Sequence, residues 1–174
     1  MQLENYKSFE TERLLIRPTS LDDAEFIFQL LNSPKWLQNI GDRNICSIKD
    51  AEKYISAKMH TQLTRLGFSN NTVIRKSDQR KIGTCGLIDR EGLDSIDIGF
   101  AFMPEFEKMG YAFEAASVLM KAARNEFKLK ELSAITLEEN TGSRNLLKKL
   151  GFEFQEKIKI PNDPKELMLY YKEL

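Results

Sequence analysis

The most informative chemistry in the chain lies in residues 103–116, which read MPEFEKMGYAFEAA. The pattern predicts a strand that ends in a tight turn and continues directly as a helix. Gly110 can adopt a positive φ without steric cost, and the good helix formers after it place the positive end of a helix dipole behind the turn. Backbone N–H groups that converge in this way bind an anion, so the segment predicts a site for a diphosphate.

Two other segments add to this signal. Residues 136–152 read TLEENTGSRNLLKKLGF and predict a strand that ends at Asn140, followed by Ser143 and a helix that stops at Gly151. Residues 9–18 read FETERLLIRP. In this order the three segments resemble the GNAT superfamily of acetyl-CoA-dependent N-acetyltransferases. The opening segment resembles one branch, the ribosomal-protein N-terminal acetyltransferases of the RimJ/RimL kind.

The resemblance implies acetyl-CoA as the co-substrate and assigns it a binding loop. The family's diphosphate loop has the pattern Gln/Arg-x-x-Gly-x-Gly/Ala, which falls here on residues 107–112. Glu107 departs from the pattern, because a carboxylate is poorly suited to lie beside a diphosphate; either its side chain points away or affinity is reduced. Lys108 brings a compensating cation to the turn. The implied cofactor contacts are Phe102, Met103, Lys108, Met109, Gly110, Tyr111, Ala112, Asn140 and Ser143.

Acetyl transfer to an amine needs a base, a donor for the thioester oxygen and a leaving thiolate, but no metal. The resemblance implies that a backbone N–H near Phe102 or Met103 faces the thioester oxygen. The acids near strand ends are candidate bases, and Asp97 is our first choice because it alternates onto the small-residue face of its strand. The full set of these acids is Asp97, Glu105, Glu138 and Glu139.

The helix after Asn140 carries the remaining implied roles. Many family members have a tyrosine acid where this chain has Leu147, so that acid is missing. Ser143 corresponds to a serine of the RimJ/RimL-like branch and is assigned a hydrogen bond to the cofactor sulfur or to a bridging water. Alternatively, Ser143 is simply the helix cap, and Asn140 satisfies the backbone at the strand end. Arg144, Lys148 and Lys149 either meet the cofactor's 3′-phosphate or form a solvated helix face.

Composition limits the remaining possibilities. The 174 residues, 41% of them hydrophobic, predict one domain spanning 1–174. Twenty-six basic residues balance 26 acidic ones, which gives no overall field for nucleic acid or an anionic membrane. We expect a cytoplasmic location, since no apolar stretch has the length of a signal peptide or membrane span. Cys46 and Cys85 suggest neither a disulfide nor a metal site; Cys85 lies in an apolar strand as an inert thiol, and His60 is expected on the surface.

Alternation between periods of two and 3.6 residues predicts an α/β protein of the α+β type. The resemblance makes this a GNAT fold: a bent, mixed, mostly antiparallel sheet flanked by helices, with one parallel splayed strand pair. Trp36 is placed in a loop between the first two helices, as a core anchor or as a wall of the acceptor pocket. The predicted strands are 13–17, 71–75, 81–88, 94–103, 132–137, 152–160 and 167–174, with a turn at 160–164, and the predicted helices are 21–31, 48–63, 111–127 and 143–150.

These patterns favour an N-acetyltransferase that transfers acetyl directly to a primary amine. By resemblance, the acceptor is the N-terminal α-amino group of a protein, such as a ribosomal protein. Small amines (a polyamine, an amino acid or an antibiotic) are the enzymatic alternative. Glu107 and the missing tyrosine also leave open a CoA-binding module without catalysis. A monomer and a homodimer are both compatible with the sequence.

Overall fold

A computed structural model describes residues 1–161 and 163–174 of the protein. The predicted turn at 160–164 includes Asn162, which lies outside the described residues. The strands are β1 Phe9–Glu10, β2 Leu14–Pro18, β3 Asn70–Arg75, β4 Arg80–Ile88, β5 Asp97–Phe102, β6 Glu131–Thr136, β7 Glu153–Ile158 and β8 Leu167–Glu173. The helices are α1 Ala24–Leu31, α2 Pro34–Asn39, α3 Ile48–Tyr54, α4 Thr61–Leu66, α5 Tyr111–Asn125 and α6 Thr141–Lys149, with a π-helical segment, Ile55–His60, between α3 and α4.

The sheet has the order β1-β2-β3-β4-β5-β6-β8-β7, and every neighbouring pair is antiparallel except β5 and β6. These two parallel strands pair only at Asp97 and Ser133, where the Ser133 N–H donates to the Ile96 carbonyl at 2.8 Å. Beyond that point the strands diverge toward their C-terminal ends. The predicted splay is therefore confirmed, and with it the mixed, mostly antiparallel sheet flanked by helices.

Helix α5 packs its small residues against the sheet. Ala115, Ala116 and Ala123 are fully buried, together with Leu119. Small side chains let the helix axis approach the strands closely, and close packing of this kind fixes the start of α5 relative to the end of β5. The apolar side of this helix therefore belongs to the main core of the protein.

The first helices form a second core on the sheet, and they correct one prediction. Trp36 lies in α2, not in a loop, and it is buried with the apolar residues of α1 and α3. Ser33 precedes this helix, and Pro34 occupies its first position, a pairing typical of a helix start. This signal was present in the sequence. Since Trp36 is rigidly packed, α2 is firmly placed beside the sheet.

His60 also differs from its prediction. The imidazole is half-buried, and its Nε2 lies 2.9 Å from the Thr19 carbonyl oxygen. His60 therefore links the helical layer to the end of β2. Across residues 1–161 and 163–174, none of the helices combines the length and hydrophobicity needed to span a bilayer.

The two cysteines differ strongly in accessibility, which predicts their reactivity. Cys46 is exposed, whereas Cys85 in β4 is completely buried, and burial raises the pKa of its thiol to about 12. Because the thiolate is the reactive form, we expect an aromatic disulfide reagent at pH 8 to modify one thiol of the folded protein rapidly and the other only after denaturation. Cys46→Ser should abolish the fast phase. Rapid modification of two thiols in the folded protein would contradict this prediction.

Candidate active site

A cavity of about 570 Å³ opens between the diverging ends of β5 and β6. Its walls come from both strands, the turn before α5, the start of α6 and helix α2. The sequence-predicted site residues along this cavity are Asp97, Phe102, Lys108, Gly110, Tyr111, Ala112, Asn140 and Ser143. Met103 and Met109 are not part of its lining. Most of the predicted site residues, from three separate parts of the chain, thus meet around one cavity.

The turn before α5 presents unpartnered N–H groups. Lys108 and Gly110 both have positive φ, 59° and 83°, and α5 begins at the next residue, Tyr111, without a side-chain cap. Among the described residues, none accepts a hydrogen bond from the N–H groups of residues 108–113. Such a helix start is normally satisfied by a cap, by water or by a ligand. Together with the helix dipole, these N–H groups form an anion site.

Arg13 supports this turn from the opposite side. Its guanidinium donates to the Met109 carbonyl at 3.0 Å and to the Glu114 carboxylate at 2.7 Å, and it lies 4.5 Å from the centre of the Tyr111 ring. Glu114 in turn accepts from the Arg13 backbone N–H at 3.1 Å. The Met109 carbonyl is thereby committed to Arg13, and the one carboxylate in the first turn of α5 is engaged by a cation. The sequence did not indicate this role for Arg13, because its partners lie about a hundred residues away.

Glu107 is neutralised by a partner that the sequence did not indicate. Its carboxylate forms an ion pair with the ammonium of Lys35 at the start of α2, and both residues line the cavity. The expected choice was between a carboxylate that points away and a weakened diphosphate site. The ion pair offers a different outcome, since Lys35 offsets the negative charge beside the turn. Lys108 is exposed at the same rim.

Only one of the two N–H groups predicted to face the thioester oxygen is available at the end of β5. The Met103 N–H donates to the Ile82 carbonyl at 2.9 Å, so the prediction of Met103 as a donor to the substrate is wrong. In an antiparallel pair the bonded and non-bonded positions alternate, and Phe102 faces Gly83 at a position next to this bonded pair. The Phe102 N–H therefore points away from β4, toward the splay. Phe102 stays the candidate donor.

Asp97 alone among the four candidate bases lines the cavity. Its side chain is 2% exposed, and one carboxylate oxygen, Oδ2, accepts from Arg90 at 2.7 and 2.8 Å. The other oxygen, Oδ1, is buried without a hydrogen-bond partner in the described residues. Burial raises the pKa of the Asp97 carboxyl, and the charge and hydrogen bonds of Arg90, together with the nearby backbone N–H of Ile135, oppose that rise.

The other three acids lie elsewhere. Glu105 pairs with Arg80 on the surface at 3.4 Å, and Glu138 pairs with Lys157 at 2.6 Å. Glu139 is exposed and lies outside the cavity wall. The structure therefore distinguishes between acids that strand position alone could not separate.

Helix α6 is capped by Asn140, which corrects the alternative role for Ser143. The Asn140 side-chain oxygen accepts from the Ser143 N–H at 3.1 Å, so Asn140 is the cap and Ser143 lies within the first turn. Ser143 is half-buried on the cavity wall, with Leu147 buried behind it. A serine hydroxyl therefore lines the cavity, and the tyrosine position is filled by an apolar side chain.

The basic residues of α6 separate into two groups. Arg144 donates to the Glu138 carbonyl at 2.9 Å and to the Tyr170 hydroxyl at 3.4 Å, so it fastens the helix to the sheet. Lys149 lines the cavity, with its ammonium 4.4 Å from the centre of the Phe113 ring. Lys148 is exposed outside the lining. Of this predicted cationic cluster, only Lys149 lies near the turn before α5.

Comparisons with known proteins agree with this architecture. A family model described as the acetyltransferase (GNAT) domain matches residues 13–153. The protein belongs to the GNAT acetyltransferase family.

Individual relatives and solved structures match most of the chain. The N-acetyltransferase p20 of Bacillus licheniformis, itself uncharacterised, is 30% identical over 146 residues, which are 82% of this chain and 80% of that protein. A GNAT-family acetyltransferase from Bacillus anthracis has the same fold, with a TM-score of 0.78 at 24% identity over 96% of this chain and 98% of its own. RimL, a ribosomal L7/L12 α-N-protein acetyltransferase solved with coenzyme A, reaches 0.81 at 14% identity over 97% and 98%.

Proposed function

We propose that the protein transfers the acetyl group of acetyl-CoA to a primary amine in the cavity between β5 and β6. The observation that carries this proposal is the set of N–H groups at residues 108–113 that have no partner among the described residues. All of these residues except Met109 line that cavity at the start of α5. The diphosphate of the cofactor fits there, because the only acid in the turn is neutralised by Lys35 and the next acid by Arg13. Lys108 and Lys149 add cations at the rim.

The residues of the chain divide the chemistry among them. Acetyl-CoA supplies an activated thioester: a bond forms between the amine nitrogen and the acetyl carbon, the carbon–sulfur bond breaks, and CoA leaves as a thiolate. The thiolate takes a proton from water, and Asp97 later returns the amine proton to water. Asp97 Oδ1 takes the proton from the amine, and the Phe102 N–H donates to the thioester oxygen. Ser143 hydrogen-bonds the sulfur or a water beside it. Leu147 and Phe102 exclude bulk water from the reacting atoms.

A structural neighbour supplies the first candidate for the amine that is acetylated. RimL, as its name states, is an α-N-protein acetyltransferase of ribosomal L7/L12. A protein N-terminus is therefore our first candidate acceptor, with polyamines, amino acids and antibiotics as the small-molecule alternatives. A thiol-release assay with acetyl-CoA distinguishes them when peptides with free N-termini are compared with these small amines.

Ala112→Asp should weaken coenzyme A binding at least about tenfold, since a new carboxylate at the second position of α5 repels the diphosphate. The same change should leave the melting temperature of the free protein unchanged or higher, because acids stabilise the first turn of a helix. Isothermal titration calorimetry with coenzyme A measures the affinity. Opposite signs for folding and binding separate an anion site from an ordinary helix start.

Ala112→Asn is the matched control, because it has the same shape without the charge and should bind within about threefold of wild type. Equal affinities for the Asp and Asn variants would contradict the proposed diphosphate site. Coenzyme A binding by the wild type without thiol release, with every amine class tested, would instead favour the CoA-binding module.

A further inference from the structure

Three buried side-chain atoms have no hydrogen-bond partner among the described residues: Trp36 Nε1, Asn70 Oδ1 and Asp97 Oδ1. All three residues line the cavity between β5 and β6. Buried polar atoms are nearly always paired, because an unpaired one costs free energy. Three such atoms around one cavity indicate partners that arrive with a ligand.

The two unpartnered oxygens, Asn70 Oδ1 and Asp97 Oδ1, belong to side chains on one face of the sheet. Asn70 on β3 pairs with Gly86 on β4, and Gly86 pairs with Gly99 on β5. Asp97 precedes Gly99 by two residues and therefore points to the same face. A Cβ placed on Gly86 would lie 2.7 Å from Asn70 Oδ1, so the Asn70 amide lies directly over that glycine.

The sheet between these two oxygens is covered by the protein's own side chains. Asn70 lies over Gly86, and a Cβ placed on Gly99 would lie 2.9 Å from Ile88 Cδ1. Ile88 and Gly99 line the cavity, so a small head group can lie above them, between Asn70 and Asp97. An ammonium or amine has N–H groups for both oxygens. This is where we expect the acceptor nitrogen to lie.

The third unpartnered atom, Trp36 Nε1, is a hydrogen-bond donor rather than an acceptor. Its indole N–H can only donate, and it is 9% exposed within the helical core that packs beside Ala101. Ala101 follows Gly99 by two residues on β5, so this donor borders the same patch of sheet. A ligand that satisfies all three atoms needs donors at one end and an acceptor close by.

We propose that Trp36, Asn70 and Asp97 form one acceptor subsite that selects an α-aminoacyl group, an amine with a carbonyl or carboxylate on the adjacent carbon. This inference rests on the proposed function and specifies its acceptor. The amine binds Asn70 and Asp97, and the adjoining oxygen accepts from Trp36. A simple alkylamine or polyamine leaves the indole N–H unpaired, so its kcat/KM should be lower than that of an α-aminoacyl compound.

Free amino acids and peptide N-termini share this chemistry, and Arg43 separates them. Arg43 lines the cavity and has no ion pair in the described part of the chain. A free carboxylate would gain from this cation, whereas a peptide carbonyl would not. Leucine against leucinamide therefore distinguishes the two sources, with Arg43→Gln removing any preference for the free acid.

The test compares kcat/KM for leucine, leucinamide and isoamylamine, which is leucine without its carboxyl group. Trp36→Phe keeps the aromatic ring and removes the N–H, and it should lower kcat/KM for leucinamide about tenfold more than for isoamylamine. Asn70→Leu removes the hydrogen-bond acceptor but keeps a side chain of similar size, and it should lower kcat/KM for all three amines alike. Ratios of variant to wild type cancel the different basicities of the amines, and sets built on alanine and phenylalanine repeat the comparison for other side chains.

Equal losses for leucinamide and isoamylamine in Trp36→Phe would overturn the subsite, as would a wild type that acetylates isoamylamine and putrescine but no α-aminoacyl compound. Either result leaves the proposed acetyl transfer intact. A wild type that binds coenzyme A but acetylates no amine overturns the proposed function and the subsite together. Calorimetry with coenzyme A on each variant confirms that the cofactor site is unchanged.

Discussion

Asp97→Asn is expected to lower kcat by about 10²–10⁴, because it removes the buried base while keeping the size of the side chain. Asp97 is the only one of the four candidate acids in the cavity wall, and its free Oδ1 has no other partner in the described chain. Burial raises the pKa of its carboxyl. The base acts when ionised, so the wild-type kcat should rise with pH through that raised pKa, and the variant should lack this rise.

Arg90 provides the control for a merely structural role. Arg90→Gln also breaks the ion pair, but it leaves the Asp97 carboxylate in place. Because the charge of Arg90 lowers the pKa of Asp97, its removal should raise that pKa further and move the pH–rate profile to higher pH. Rates measured at saturating acetyl-CoA, with the folded fraction checked by circular dichroism, separate chemistry from stability. A kcat for Asp97→Asn within threefold of wild type would exclude Asp97 as the base.

The sequence predicted the parts of the site that are local in the chain. Gly110 is required by the positive φ of a turn that opens a helix, and Asn140 is the side-chain cap of the helix that follows β6. Both patterns span only a few residues, so they can be recognised without any knowledge of the fold. Both residues line the cavity, so the sequence alone was enough to point to this part of its wall.

The acceptor side depends on contacts between distant elements. Lys35 meets Glu107 across 72 residues, and Trp36 reaches the sheet only because α2 packs beside β5. Asn70 becomes notable only when it lies over a glycine of the neighbouring strand. Neither spacing nor residue type indicates such neighbours. The hydrogen bond that removes Met103 as a donor is a matter of strand register, which alternation alone did not resolve.

Asp23 shows the same division between local and distant contacts. Its local contact is with Ser20, three residues earlier, whose N–H donates to the Asp23 carboxylate at 2.9 Å before α1. The structure adds ion pairs with Arg17 and Lys81, both at 2.7 Å, around a side chain that is 0% exposed. Thr72 also donates to this carboxylate at 2.9 Å. The start of α1 is thereby tied to β2, β3 and β4, the strands that carry Asn70 and Gly86.

Asp23→Asn should lower the free energy of unfolding by about 3 kcal/mol at pH 7, because it leaves two cations without their shared carboxylate. Burial by itself would raise the pKa of Asp23, but the hydrogen bonds from Arg17, Lys81 and Ser20 outweigh it and lower the pKa from its usual 3.8 to about 2. A carboxyl with a lowered pKa stabilises the fold fully above the unfolded value and loses that contribution as pH falls toward the folded value. The difference between variant and wild type should therefore be constant from about pH 5 to 8 and shrink below pH 4.

Urea unfolding followed by circular dichroism at pH 3, 4, 5 and 7 measures this difference. Asp22→Asn is the matched control, since Asp22 is exposed beside Asp23 and forms no ion pair with any described residue. We expect it to stay within about 0.5 kcal/mol of wild type at every pH. A loss for Asp23→Asn that is as large at pH 3 as at pH 7 would mean that packing, not charge, holds α1 to the sheet. In that case the cations at Arg17 and Lys81 would contribute little to the placement of α1 on the sheet face that carries Asn70.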